Sequence, residues 1–430
     1  MPEYAAMAED AAPKAGLRNT VESLIQQLDS QMLAERARAE RSLLDLGPDV
    51  LTFLPAPELA PSVEVRQSIT RIRIQLERRA ARESAQASLV RFSGEVTVAE
   101  LLKEFTAQTR NRIELGPEAR SIADTSLRVE FENRPFWECL DDVCERLKLC
   151  TAFDAQQGVL QIRPRSAKDP VDLTVQRSGP FRLAIQSAEV RPIVGNLSSR
   201  LLRISGKVGL EPRLRPLFLH FAAADIAATG KDGQRFESWN PAATYELPVG
   251  DAGRDVPVQF DYLFPSSDDQ ASVNIRGRLS VQLAAGTERI VFDQTSQTAG
   301  VARRRGGVTV RLREVNFEAV PGEKLRSEIK VSVGYDAGGP AFESHRTWMF
   351  HNAVYFENAT GLRINFTEYD TSLQANGVVG VDYRWDQLAG PATQYHLVYE
   401  APTLILDLPL EVNLEAIAIK AVNTPPPRNE

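Results

Sequence analysis

The sequence predicts a multidomain α+β protein. It has an N-terminal α-helical repeat segment, a small βαβ-βαββ domain and two tandem, mainly antiparallel β-sandwiches. Three observations carry this. Apolar residues recur at helical spacing up to about residue 88 and then stop. Near Leu89 the pattern changes to short strands alternating with two helices. From Val171 to Ile419 it alternates with period two, broken by Gly, Pro, Asn and Asp clusters. The 430 residues exceed the roughly 250–300 that one hydrophobic core serves, which agrees with several domains.

Composition narrows the function classes. At 43% hydrophobic and 25% charged residues the chain is too apolar and too mixed in charge for disorder. A net charge of −7 lacks the basic footprint of a dedicated nucleic-acid binder. No apolar run approaches the roughly 20 residues of a transmembrane helix. The opening MPEYAAMAEDAAPKAG shows no basic stretch followed by an apolar one, so export would require a signal peptide already removed.

Residues 1–18 read as a flexible leader and 19–88 as the helical segment. Val21, Leu24, Ile25 and Leu28 share one helix face, and a second helix follows through Ala34, Ala37, Leu43, Leu44 and Leu46. Gly47-Pro48 supplies a stop and a restart, with Val50, Leu51, Phe53 and Leu54 as the apolar face of a third helix. Ser62 is the expected N-cap of a fourth, striped by Val65, Ile69, Ile72 and Leu76. Through Arg36, Ala39, LLDLGPDVLTFL at 43–54 and EVR at 64–66, this stretch resembles HEAT-type helical repeats. The resemblance implies one and a half to two pairs of helices, fewer than such repeats need to stand alone.

The small domain is expected over 89–166. LVRFSG reads as a strand. Thr97 and Glu100 form a capping box opening a helix with Val98, Leu101, Leu102 and Phe105 inward. RIEL and LRVEFEN are further strands; Pro135 starts a second helix with Leu140, Val143, Cys144 and Leu147 on one face, and CTAF and VLQIRP close the domain. TVAELL and VEFENRPFWECL, in this order and spacing, resemble the two half-motifs of the short N-terminal domain of secretins and TonB-dependent receptors. Neither further secretin modules nor a receptor plug and barrel follow. The resemblance therefore implies a docking unit of the kind found in bacterial cell-envelope adaptors, and not a secretion pore or siderophore uptake. It places the protein in the periplasm or at the cell surface, with the cytoplasm as the alternative.

The sandwiches are expected over 171–300 and 306–422, joined at Arg303-Arg304-Arg305, with 423–430 as a flexible tail. An internal repeat supports two copies. Glu189-Val190 matches Glu314-Val315, and Ile204 and Val208 match Ile329 and Val333 at one offset. FDYLF at 260–264 resembles VDYRW at 381–385, and Leu279, Val281 and Leu283 resemble Leu410, Val412 and Leu414. The tail NTPPPRNE reads as extended.

Candidate chemistry is sparse. All three cysteines lie within RPFWECLDDVCERLKLC, at Cys139, Cys144 and Cys150. Their spacing is neither a zinc pair nor a redox motif, and Cys144 fits the buried stripe as a small hydrophobe. A Cys144–Cys150 disulfide stays open. His345, His351 and His396 fall in the second sandwich and His220 in the first, without metal-site spacing; Asp225, Asp232, Asp268 and Asp269 lie in loops of the first without a calcium-loop series. Ordinary histidines and solvated turns are the preferred readings. No phosphate loop or nucleophile elbow occurs. Trp239, in ESWNP, is the expected exposed aromatic. No cofactor is expected, and no catalytic residue is assigned. The function these observations point to is a non-enzymatic cell-envelope adaptor or scaffold with a protein partner. A carbohydrate-active or hydrolytic protein using the sandwich loops is the first alternative, and a ligand-sensing module the second.

Overall fold

The structure, a computed structural model, describes residues 11–56, 59–154, 159–249, 255–265, 271–305, 307–322, 324–335, 352–375 and 378–421. The chain forms two compact units, one up to Ala85 and one from Gln86 on. Strands dominate, and among the described residues the α-helices all lie before Leu147. No helix among the described residues is long and apolar enough to cross a membrane.

The first unit holds α1 (Ala11–Gln27), α2 (Leu33–Asp45), a 3-10 turn at Pro48–Thr52 and α3 (Val63–Ser84). α1 includes residues from Ala11 on, inside the stretch expected as a leader and upstream of its first apolar stripe. Gly47 takes φ +85°, a left-handed conformation open to glycine, and ends α2. Pro48 then starts a 3-10 turn, not the expected third α-helix, and Pro55 breaks any longer run. The Ser62 hydroxyl accepts from Val65 N at 3.3 Å as the N-cap of α3. Val65, Ile69, Ile72 and Leu76 of α3 share one core with Val21, Leu28 and Leu43.

The second unit opens with β1 (Leu89–Thr97), α4 (Val98–Thr109), β2 (Ile113–Leu115), a 3-10 turn at Pro117–Ile122, β3 (Ser126–Pro135), α5 (Phe136–Arg146), β4 (Leu149–Asp154) and β5 (Val159–Pro164). This is the order expected from the sequence. β1 pairs antiparallel with β3, and β5 lies between β2, which it parallels, and β4. Both halves of the Thr97–Glu100 capping box are made. Both helices bury their apolar faces in one core with Phe105, Phe131 and Phe136.

The β region begins with β6 (Thr174–Ser178), β7 (Phe181–Ile193), β8 (Asn196–Leu210) and β9 (Arg215–Ala222). Next come β10 (Ile226–Gly230), β11 (Arg235–Ser238), β12 (Thr244–Pro248), β13 (Val256–Pro265) and β14 (Ser272–Phe292). The second sequence copy supplies β15 (Ala302–Arg305), β16 (Val308–Val320), β17 (Lys324–Tyr335), β18 (Ala353–Glu357) and β19 (Arg363–Asn365). It ends with β20 (Glu368–Ala375), β21 (Val378–Ala389), β22 (His396–Ala418) and β23 (Lys420–Ala421). β8 lies between β7 and β13, and β17 lies between β16 and β21.

The strands before and after Arg303 are interlocked. β14 and β22, which carry the last repeat match, pair with each other from Ser272↔Ala418 to Phe292↔Leu397. β14 runs beside β10 and β9 first, while its end, with Ile290 and Phe292, enters a core shared with β16, β17 and β21. β22 does the reverse: it starts beside β18, continues along the first half of β14, and leads to β23 on β7. The sequence copies part near Arg303, but the sheets do not. The free edge of β22 is capped by the Gln176 amide of β6, which donates to Glu411 O at 2.7 Å and accepts from Asn413 N at 2.8 Å.

Polar contacts tie the β1–β5 region to β6, β7 and the end of β8. Trp137 Nε1 donates to Pro180 O at 3.0 Å, and Asp141 of α5 receives Arg177 at 2.6 Å and Arg182 at 3.0 Å. Glu211, fully buried at the end of β8, accepts from Ser88 N (2.9 Å), Ser88 Oγ (2.6 Å), Asn111 Nδ2 (3.1 Å) and Arg213 Nε (2.7 Å). A buried carboxylate needs such partners to offset its desolvation.

Candidate functional site

The exposed aromatic expected at Trp239 lies where one strand changes sheets. β11 pairs with β10 through Arg235 and Phe236, then with β13 through Glu237 and Ser238. Strands that switch sheets make the corners of sandwiches. Here β10 and β11 part at the corner and leave a cleft of about 320 Å³. Ala223, Ile226 and Ala227 line it together with Arg235, Phe236, Glu237 and Pro241. The Tyr262 hydroxyl donates to Ile226 O at 3.0 Å and ties the two sheets together. Burial raises the pKa of this phenol, so it keeps its proton. Trp239 directly follows the lining residue Ser238. Its backbone N donates to Asp261 O at 2.9 Å, and its side chain is 48% exposed.

The short turn Ala223–Asp225 separates this cleft from a second, of about 730 Å³, lined by Asp225, Arg276, Gly277, Arg278, Glu411 and Asn413. Arg278 faces Glu411 across the β14–β22 ladder and pairs with it at 2.6 Å; Arg276 reaches Glu415 at 2.7 Å. These are exposed pairs of small energetic value. Gly277 is required by the close approach of β10: a Cβ there would lie 2.1 Å from Asp225 O. The corner thus joins a slot of mixed apolar and charged lining, with an indole beside it, to a charged groove.

The other sequence-predicted residues do not converge. Asp225 lines the charged groove, but Asp232 sits in the β10–β11 turn, accepting from Gln234 N at 3.0 Å. Asp268, Asp269, His345 and His351 lie outside the described residues. His220 is on β9 beside Phe218, and His396 opens β22 with Nδ1 3.4 Å from Asp293. Among the described residues, no three His, Cys, Asp or Glu side chains form a group that could hold a metal.

All three cysteines are free thiols. Cys139 and Cys144 are both buried on α5, and desolvation pushes each thiol up to about 12. Burial also raises Cys150, which sits beside the Arg163–Asp169 pair. A thiol held protonated is a poor nucleophile and metal ligand. Sequence reasoning missed the burial of Cys139, because α5 is covered on two sides. It also missed Glu211 and Gly277, whose roles arise from residues far away in sequence. No family model matches the chain, and no curated protein is similar to it.

Proposed function

We propose that this protein is a non-enzymatic cell-envelope adaptor or scaffold, and that it binds a protein partner at the corner surface around Trp239. The carrying observation is the 48% exposed indole beside a cleft lined by Phe236, Pro241, Arg235 and Glu237, on a corner tied from behind by Tyr262. Tryptophan contributes large contact area at small entropic cost and is enriched where binding energy concentrates. Docking of the small domain on the first sandwich through buried polar groups suits a scaffold that presents surfaces in fixed relation. The envelope location rests on the resemblance of that domain to secretin and receptor docking units.

The test is site-specific photocrosslinking. Benzoylphenylalanine replaces Trp239 in one variant and Leu362, which is 60% exposed on the second sandwich, in a control. The expected result is one dominant protein adduct from position 239 in the envelope fraction, absent from position 362. The same adducts at both positions, or none at 239, would overturn the proposal.

A further inference from the structure

β9 begins at Arg215, opposite Ala284 of β14, and β14 runs on to Phe292 without it. Ala284 in turn lies opposite Ile405 of β22, so Arg215, Ala284 and Ile405 form one row across three strands. Side chains in such a row share a face. This face is that of the core holding Ala284, Tyr399 and Trp385. Arg215 stands at its margin, half-buried, with Nη1 donating to Thr287 Oγ1 at 3.1 Å. The other groups that act on its charge are the phenols of Tyr335 and Tyr399 and the carboxylate of Glu400. Glu400 is engaged elsewhere: it accepts from Tyr355 Oη at 2.9 Å and faces Arg289 across the ladder. Among the described residues, no carboxylate forms an ion pair with Arg215.

That sets Arg215 apart from the other half-buried arginines of this region. Arg182 holds Asp141 and Asp172, Arg213 holds Glu211, and Arg313 holds Asp382. Desolvation is the largest influence on Arg215 and lowers its pKa, whereas its two acid neighbours raise that of Arg182. A guanidinium keeps its charge in proteins, so Arg215 carries a partly desolvated charge with no counter-ion. Such a charge is costly and draws an anion. Two features at the same place point to a site rather than to packing. Asn352 is buried and donates Nδ2 to Tyr399 Oη at 2.9 Å, but its Oδ1 has no hydrogen-bond partner. Leu404, next to Ile405, holds φ +50° in mid-strand. Leucine adopts that conformation only at a cost, and such strain clusters at binding and active sites.

We propose that Arg215, with Thr287 beside it, binds a small oxyanion at this junction, of which inorganic phosphate is the simplest. The guanidinium is a planar fork that matches two oxygens of an oxyanion. The Thr287 hydroxyl accepts from Arg215 and so keeps its own hydrogen to donate to a third oxygen. This site does not depend on the Trp239 corner.

Isothermal titration calorimetry of the full chain with phosphate at neutral pH, against sodium chloride of equal ionic strength, tests this. One site with a dissociation constant on the order of 1 mM is expected. R215Q should weaken it at least about tenfold, and T287V about fivefold. R191Q, which removes a guanidinium 51% exposed and paired with Glu189, should leave it unchanged. Thr287 is exposed, so T287V keeps the test open if R215Q fails to fold. In the native chain phosphate should also slow the modification of Arg215 by phenylglyoxal, read by peptide mass, more than that of Arg191. Acetate that displaces phosphate extends the site to carboxylates and supports it. No heat beyond that of chloride, affinity unchanged in R215Q and T287V, or equal protection of Arg215 and Arg191 overturns the proposal.

Discussion

Arg213 holds the carboxylate of Glu211, two residues before it, with Nε 2.7 Å from Oε2, and Glu211 has no exposed surface. The same carboxylate takes both the N–H and the hydroxyl of Ser88 and the amide of Asn111, while Arg213 also donates to Gln86 O. Removing the carboxylate leaves a nearly buried guanidinium and several donors without their acceptor. E211A is expected to cost about 3–5 kcal/mol, and E211Q less, because the glutamine oxygen still accepts. Urea unfolding of the two variants at pH 7 checks the size and the order.

Gly277 should tolerate no side chain. An alanine Cβ would lie 2.1 Å from Asp225 O and 2.8 Å from Ile226 Cα, both backbone atoms of the corner turn and β10. The backbone must move, and G277A is expected to lose about 1–3 kcal/mol. The melting temperature reads the loss. G286A meets the Thr403 hydroxyl, not backbone, at 2.7 Å and serves as the milder comparison.

Gln176 replaces a missing strand neighbour with one side chain. Q176A is expected to cost about 1 kcal/mol by freeing Glu411 O and Asn413 N at the edge of β22. Hydrogen exchange at the Asn413 amide should accelerate, while the Leu410 and Val412 core positions change little.

The thiols should titrate by burial. In native protein at pH 8 Cys150 reacts slowly with a thiol reagent, and Cys139 and Cys144 do not, since both are buried with thiols pushed up to about 12. Denatured, unreduced protein should give three equivalents. One equivalent would show a Cys144–Cys150 disulfide.

Stability should fall at alkaline pH. The buried thiols of Cys139 and Cys144 and the buried phenols of Tyr262, Tyr383 and Tyr399 have raised pKa values, with desolvation as the first cause in each. The unfolded chain releases these protons from about pH 8.5 for thiols and about 10 for phenols. Between those values and the native ones the unfolded state binds fewer protons, so stability declines as pH rises. The contribution is fully present at pH 7. The urea midpoint should be lower at pH 10 than at pH 7; equal midpoints would contradict the burial of these groups.

The order of elements was legible in the sequence because it is written in local patterns. The capping box at Thr97, the N-cap at Ser62 and the stop at Gly47 depend on residues within a turn of one another, and each was found where the pattern put it. Alternation marked β7, β8, β13, β16, β17 and β21 as strands. Exposure of Trp239 followed from its polar, proline-bounded setting. Tertiary structure alone decided what joins across distance. The identity of Leu279 with Leu410 in the repeat suggested equivalent strands in separate sandwiches, but the two residues face each other in one ladder. Nothing near Glu211 in sequence announces Ser88 or Asn111, and nothing near Gly277 announces β10. Strand pairing and buried charge are set by which surfaces can be desolvated together, and that depends on the whole chain. Local periodicity fixes an element and its inward face, but not the neighbour that face will meet.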